Sequence, residues 1–249
     1  MKRTTLVWDG AVRLFHILFA AGFLSAFYIA KVMGEHAAAF PYHMMIGLSL
    51  ALAVILRVLW LLVGTRWAKL SGLSLNPMDL VRYPASVFSP SKETVAGHNP
   101  ATSWTMLFMF LLTLILAYTG LMKIQGNESF EKVHELSSYA FLALALLHIA
   151  GVILQMVVKK DALALSMVDG RKAVPESEGI QRGAPVATAA FAVIVGWFFV
   201  SLASSYQPGT GAAKWPITGA SLQLGENEGG DGGQEAGVSE SEGHDDGDD

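Results

Sequence analysis

Cysteine is absent from this chain. Its absence removes disulfides, iron–sulfur clusters, thiolate zinc sites and the Cys-x-x-Cys-His attachment of c-type haem. Charge is scarce as well. Charged residues make up 15% of the 249 positions, where an ordinary soluble domain carries about 25%. Carboxylates are nearly missing from the long apolar stretches. That counts against zinc or di-iron sites, which want acidic ligands at the depth of the metal. What fills the space is hydrophobic: 52% of the residues, gathered in runs long enough to place the chain in a bilayer.

Five such runs can be read. The first spans about Val12 to Met33 with an amphipathic lead-in from Trp8, and Asp9 and Arg13 at i,i+4 are placed to pair. A signal peptide is the alternative for this segment. Against it, Lys31, Gly34 and Glu35 separate the apolar run from any small-x-small cleavage site. The second run spans about His43 to Val63, opened by Pro41 and closed by Gly64, with Arg57 inside it. The third spans about Thr102 to Met122, the fourth His134 to Val158 and the fifth Ala184 to Ala203. Between the second and third, Asn76-Pro77 can cap a short interfacial helix, MDLVRY, that Pro84 would end. From Ser205 the chain turns Gly-, Glu- and Asp-rich and reads as a disordered tail. The expected architecture is an all-α integral membrane bundle. Residues 1–183 form a four-helix core, 184–204 a fifth transmembrane helix, and 205–249 an acidic extracytoplasmic tail.

Lys and Arg sort by side. Lys2, Arg3, Arg13, Arg66, Lys69, Arg82, Lys92, Lys159, Lys160, Arg171, Lys172 and Arg182 fall in the N-terminus and the second and fourth loops, whereas Lys31, Lys123, Lys132 and Lys214 fall opposite. The positive-inside rule then puts the N-terminus in the cytoplasm and the tail outside. In a Gram-negative bacterium that means a multi-pass inner-membrane protein with a periplasmic tail.

Histidine carries the chemistry. His134 and His148 share the fourth run. Fourteen residues is just under four helical turns, so both point to nearly one face, about 21 Å apart. An imidazole within a lipid-spanning helix is costly, and function is its default reading; a lone one is often only hydrogen-bonded to a neighbouring helix. By depth, His43 and His134 form an outer pair and His16 and His148 an inner pair, each drawn from two helices. Glu135 neighbours His134 but points about 100° away on a helix, and helical imidazoles with little else at their depth suit a planar cofactor that brings its own four nitrogens, as in bis-histidine haem. Gly47 and Gly151, close to His43 and His148, would let a flat ring approach the backbone; helix packing explains them equally well. Arg13 and Arg57 lie at the inner level, where they are candidates to neutralise a haem propionate, although Arg57 can also snorkel to the interface. His36, His98 and His244 lie in loops or tail, where solvation is the ordinary role. In Gly97-His98-Asn99-Pro100 a turn or helix cap outweighs proton handling by His98.

The segments VWDGAVRLFH, HMMIG followed by RVLWLLVGTRWAKL, GHNPATSW, TGLM, HELSSYAFLALALLH and MVDGRKA, in this order, resemble the prokaryotic cytochrome b561 family, which includes the cytochrome b subunits of nickel–iron hydrogenases. The resemblance covers about Val7 to Ala173. It implies two b-type haems held by His16, His43, His134 and His148, and electron transfer linked to membrane quinone. It also implies a periplasmic redox partner such as a hydrogenase or a c-type cytochrome, and no nucleic acid. The fifth run and the tail have no counterpart in the four-helix family core. An electron-transfer subunit fits better than a stand-alone enzyme. Two other readings stand beside it: a self-contained superoxide:quinone oxidoreductase, and a haem-free scaffold or proton-relay transporter.

Overall fold

A computed structural model describes residues 3–89, 96–160 and 163–225. A short strand β1 (Arg3–Leu6) leads into α1 (Gly10–Tyr28), which loosens into a π-helical turn over Ile29–Met33. There follow α2 (Phe40–Val63), α3 (Pro77–Val87), α4 (Pro100–Ile124) and α5 (Ser129–Lys159). A short α6 (Leu163–Asp169) and a strand β2 (Arg171–Val174) precede α7 (Pro185–Ser205). Two more strands, β3 (Ala212–Lys214) and β4 (Ser221–Gln223), close the described chain. Five of the helices, α1, α2, α4, α5 and α7, are long and apolar enough to cross a membrane.

The bundle has two distinguishable ends. At one, β1 pairs antiparallel with β2, Arg3 opposite Val174 and Leu6 opposite Arg171. The backbone N–H groups of Val7 and Trp8 both donate to the Gly170 carbonyl, at 2.8 and 3.0 Å. Gly170 sits at φ +80°, and a Cβ there would lie 2.8 Å from the Trp8 carbonyl oxygen, so both the backbone and the space call for glycine. At the other end β3 pairs with β4 as a hairpin. We call these the sheet end and the hairpin end.

Asp9 anchors the sheet end, and its role differs from the expected pairing with Arg13. The carboxylate is fully buried. Oδ1 accepts from the Val12 N–H at 2.9 Å and so caps α1, a bond that contributes about 1 kcal/mol. Oδ2 accepts from Trp60 Nε1 at 3.0 Å and from the Thr65 hydroxyl at 2.6 Å, tying the end of α2 to the start of α1. Arg13 instead donates to the Val168 carbonyl on α6. A helix-starting carboxylate has backbone and side-chain donors at hand, and these outcompete a cation one turn on.

Two further expectations are corrected. α3 does not stop at Pro84 but runs to Val87. Proline keeps a helical φ but removes one backbone hydrogen bond and crowds the preceding turn, a cost of about 3 kcal/mol that the helix carries with the Pro84 ring exposed. Residues 206–225, expected to be disordered, are folded. Ala213 and Leu224 are buried with Met44, Met45, Leu48, Phe198 and Leu202, and Trp215 and Leu222 pack against them. The Gly- and acid-rich composition belongs mainly to residues 226–249, which lie outside the described residues together with His244; so does Lys92.

The core forms three levels. The middle level is aromatic: Phe15 and Phe19 of α1, Phe110 of α4, Phe141 of α5 and Phe191 of α7, with Leu50 and Val54 of α2. Phe141, seven residues from both His134 and His148, meets Phe23 at a ring separation of 4.4 Å and Phe19 at 5.8 Å. The hairpin-end level is the cluster around Leu224, and the sheet-end level gathers Val7, Trp8, Val12, Ala68, Ala96 and Val174.

Candidate functional site

The structure brings His43 of α2 and His134 of α5 together at the hairpin end, their ring centroids 6.4 Å apart. A metal–imidazole bond is about 2 Å, and the bonded nitrogen lies about 1 Å from its ring centre, so two imidazoles on opposite sides of one metal have centroids roughly 6 Å apart. The two rings have that spacing. Their hydrogen bonds engage one ring nitrogen of each. His43 Nδ1 lies 2.8 Å from the Ala26 carbonyl, which can only accept, so Nδ1 carries the proton. His134 Nδ1 lies 3.0 Å from the Thr119 hydroxyl. That hydroxyl also lies within reach of two main-chain carbonyls, Ile115 at 2.8 Å and Leu116 at 3.2 Å; with its one proton given to either, it is free to accept from His134. In both residues Nε2 is left with its lone pair, the state a ligating imidazole requires, oriented by the partner on its other nitrogen.

A cavity of about 760 Å³ surrounds the pair, walled by α1, α2, α4, α5 and the hairpin. Gly47 lines it, and a Cβ at Gly47 would meet nothing within 4 Å. Gly120 abuts His134, where a Cβ would stand 3.4 Å from His134 Cε1. Phe40 lies over His43 at 5.4 Å with the rings 12° from parallel. Tyr206, Pro208 and Leu224 close the cavity from the hairpin side.

His16 of α1 and His148 of α5 lie at the sheet-end level. They are near enough for their charges to interact. His16 is exposed and His148 half-buried. Around this level the polar inventory is unbalanced. Among the described residues, the buried side-chain atoms without a hydrogen-bond partner are Arg13 Nε, Arg57 Nη2, His98 Nδ1 and Trp104 Nε1, and all four residues belong to the sheet end. Three of these atoms can only donate. Buried donors are almost always satisfied by protein or ordered water, so this set leaves room for an acceptor that the polypeptide does not supply.

Arg57 is 2% exposed and donates through Nη1 to the Ala68 carbonyl at 3.1 Å. Its guanidinium is held inside the protein, within the field of Asp9, and does not reach the interface along the snorkelling route. His98 is buried against Trp8, rings 4.6 Å apart and edge-on. Burial first, then the positive charges of Arg57, Lys172 and His148, push His98 down to about 3. It is therefore neutral at physiological pH, and not the solvated loop histidine the sequence suggested. The neighbouring Asn99 caps α4, its side-chain oxygen accepting from the Thr102 N–H at 2.7 Å. The burial of His98 and Trp104 had no signal in the sequence, because it depends on which loop folds over which helix end. Gly151, beside His148, is exposed, and a Cβ there would meet nothing within 4 Å.

Among the described residues no group of three or more His, Cys, Asp or Glu is placed to hold a metal ion. Paired imidazoles across a large, mainly apolar cavity fit a flat macrocycle that carries most of its own ligands. Fold and site together define a membrane-spanning electron-transfer cytochrome of the b type. The chain belongs to the prokaryotic cytochrome b561 family, whose description matches residues 7–170. No curated protein and no solved structure matches it significantly. Haem b is the cofactor of that family, and residues 7 and 170 meet in the fold, since the Val7 N–H donates to the Gly170 carbonyl. The matched region thus closes on itself at the sheet end, and α7 with the hairpin lies beyond it.

Proposed function

We propose that the protein holds two b-type haems, one on His43 and His134 and the other on His16 and His148, and carries electrons across the bilayer between quinone and a redox protein outside the cell membrane. Bound haem supplies reversible one-electron storage at each level. The chain's own residues do the rest. Ala26 and Thr119 hold the hairpin-end imidazoles in the tautomer that presents Nε2. The hairpin restricts water around that pair, and Phe19, Phe23 and Phe141 fill the space between the two levels. Arg13 and Arg57 offer donors for propionates at the sheet end. Two histidines per iron leave no open position, which favours electron transfer over oxygen activation. In this reading the sheet end faces the cytoplasm, consistent with its basic loops, and the hairpin end faces the periplasm. A c-type cytochrome or a hydrogenase-like enzyme is the partner class.

The observation that carries this reading is the His43–His134 pair, with its 6.4 Å ring spacing and both Nδ1 atoms already engaged. The test is the visible spectrum of the purified full-length protein, oxidised and reduced, with a haem count per chain. Two haems of the bis-histidine type are expected. A colourless preparation from haem-replete cells would overturn it.

A further inference from the structure

The wall of the hairpin-end cavity carries two cations, Lys31 from the end of α1 and Lys123 from the end of α4. Both sit on the side of the molecule where lysine and arginine are scarce. Each lies a short step toward the hairpin end from a group that positions an axial histidine. Lys31 follows Ala26, the acceptor for His43, and Lys123 follows Gly120, which abuts His134. Both ammonium groups lie beside glutamates. Lys123 reaches Glu35 at 3.0 Å and Glu131 at 3.5 Å, and Lys31 reaches Glu135 at 3.4 Å. The lysine side chains are 30% and 35% exposed, whereas the three glutamates are 54% to 59% exposed. All five side chains line the cavity, and the cations are the less exposed members of each pair. Exposed pairs of that kind contribute little to stability, so pairing alone does not explain two ammonium groups set deeper than their carboxylates in a mainly apolar cavity.

We infer that Lys31 and Lys123 are the propionate partners of the hairpin-end haem, one for each carboxylate, with the glutamates as their alternative partners. This rests on the two-haem reading above. A haem b brings two carboxylates, and two cations from different elements match them in number. Ammonium groups beside the propionates stabilise the reduced iron relative to the oxidised, because the oxidised site carries one more positive charge.

The test is a spectroscopic redox titration of the full-length protein carrying Lys31→Met, Lys123→Met or both. Lys132→Met serves as control, since that residue is exposed and does not line the cavity. The component to follow is the one that His43→Ala removes. In the double variant its reduced-to-oxidised ratio at fixed potential should fall about tenfold, equivalent to roughly 59 mV for one electron, while the other component stays in place. Lys→Arg replacements should restore it. Glu135→Gln should move the same component the other way, and this variant carries the test if the double lysine variant fails to accumulate. Equal shifts of both components, or a shift no larger than that of Lys132→Met, would overturn the assignment. A wild-type protein without two haems would instead overturn the functional reading beneath it.

Discussion

The two histidine pairs share a helix, α5, and differ in how much of their surroundings the protein has built. At the hairpin end each imidazole has a partner on Nδ1, the ring centroids stand 6.4 Å apart with the planes 72° from parallel, and five elements enclose the space. At the sheet end His16 is exposed, His148 half-buried, and the orphaned donors of Arg13, Arg57 and Trp104 lie at that level without acceptors. The difference follows from topology. The segment from Tyr206 through the hairpin closes over the first pair, whereas the second is flanked by loops and the short α6. One site is organised around its ligand atoms, and the other around the charge its ligand would bring. Imidazole orientation should therefore dominate at the hairpin end, and electrostatics at the sheet end.

The largest effects should come from the histidines themselves. His43→Ala and His134→Ala should each remove the same haem, halving the haem count, and His16→Ala and His148→Ala the other. Component-resolved redox titration checks this, and a crossed pattern in which His43 and His148 behave alike would break the comparison. Next is the hairpin. A chain ending after Ser205 should expose the His43–His134 component to water, lowering its potential and speeding its reduction by a soluble reductant several-fold. A chain ending after Gly225 should behave as the full-length protein; stopped-flow absorbance separates the two. Thr119→Val removes the acceptor of His134 Nδ1–H. Such outer partners typically govern ligand affinity by about 10–100-fold, so haem should dissociate faster from this pair alone, measurable by transfer to apomyoglobin.

The smallest effect concerns pH at the sheet end. The fold holds His98 down to about 3, against 6.5 for the free side chain. The unfolded chain therefore binds the extra proton first as pH falls. The stability from neutral His98 is complete above about 6.5 and is lost progressively toward 3. Thermal unfolding of the detergent-solubilised protein should show this acid sensitivity, reduced in His98→Gln, with the hairpin-end component unaffected at a given fraction folded.

Much of the histidine pairing was legible because a helix is a ruler. A rise of about 1.5 Å per residue turns position into depth, and the alternation of helix direction sorts His43 with His134. The hairpin was not legible. Ala213, Trp215, Leu222 and Leu224 are separated by Gly, Thr and Pro in a window whose composition is set by the acidic residues after Gly225, and no periodicity links them. Their burial against Met44 and Leu202 depends on a surface supplied by other helices. Asp9 was misjudged for a related reason: local spacing suggested Arg13, while the partners that won, Trp60 and Thr65, lie more than fifty residues away. Lys31 and Lys123 were visible as charges on the sparse side, but only the fold places both on one cavity.

Sequence alone determined that this is a membrane bundle with imidazoles at two depths. Hydrophobic run length and helical rise are local properties, independent of how the helices meet. The tertiary structure decided which ring nitrogens are free, which cations share a cavity with them, and that the segment after the fifth helix closes one site. Those depend on contacts between residues far apart in the chain, and no local pattern encodes them.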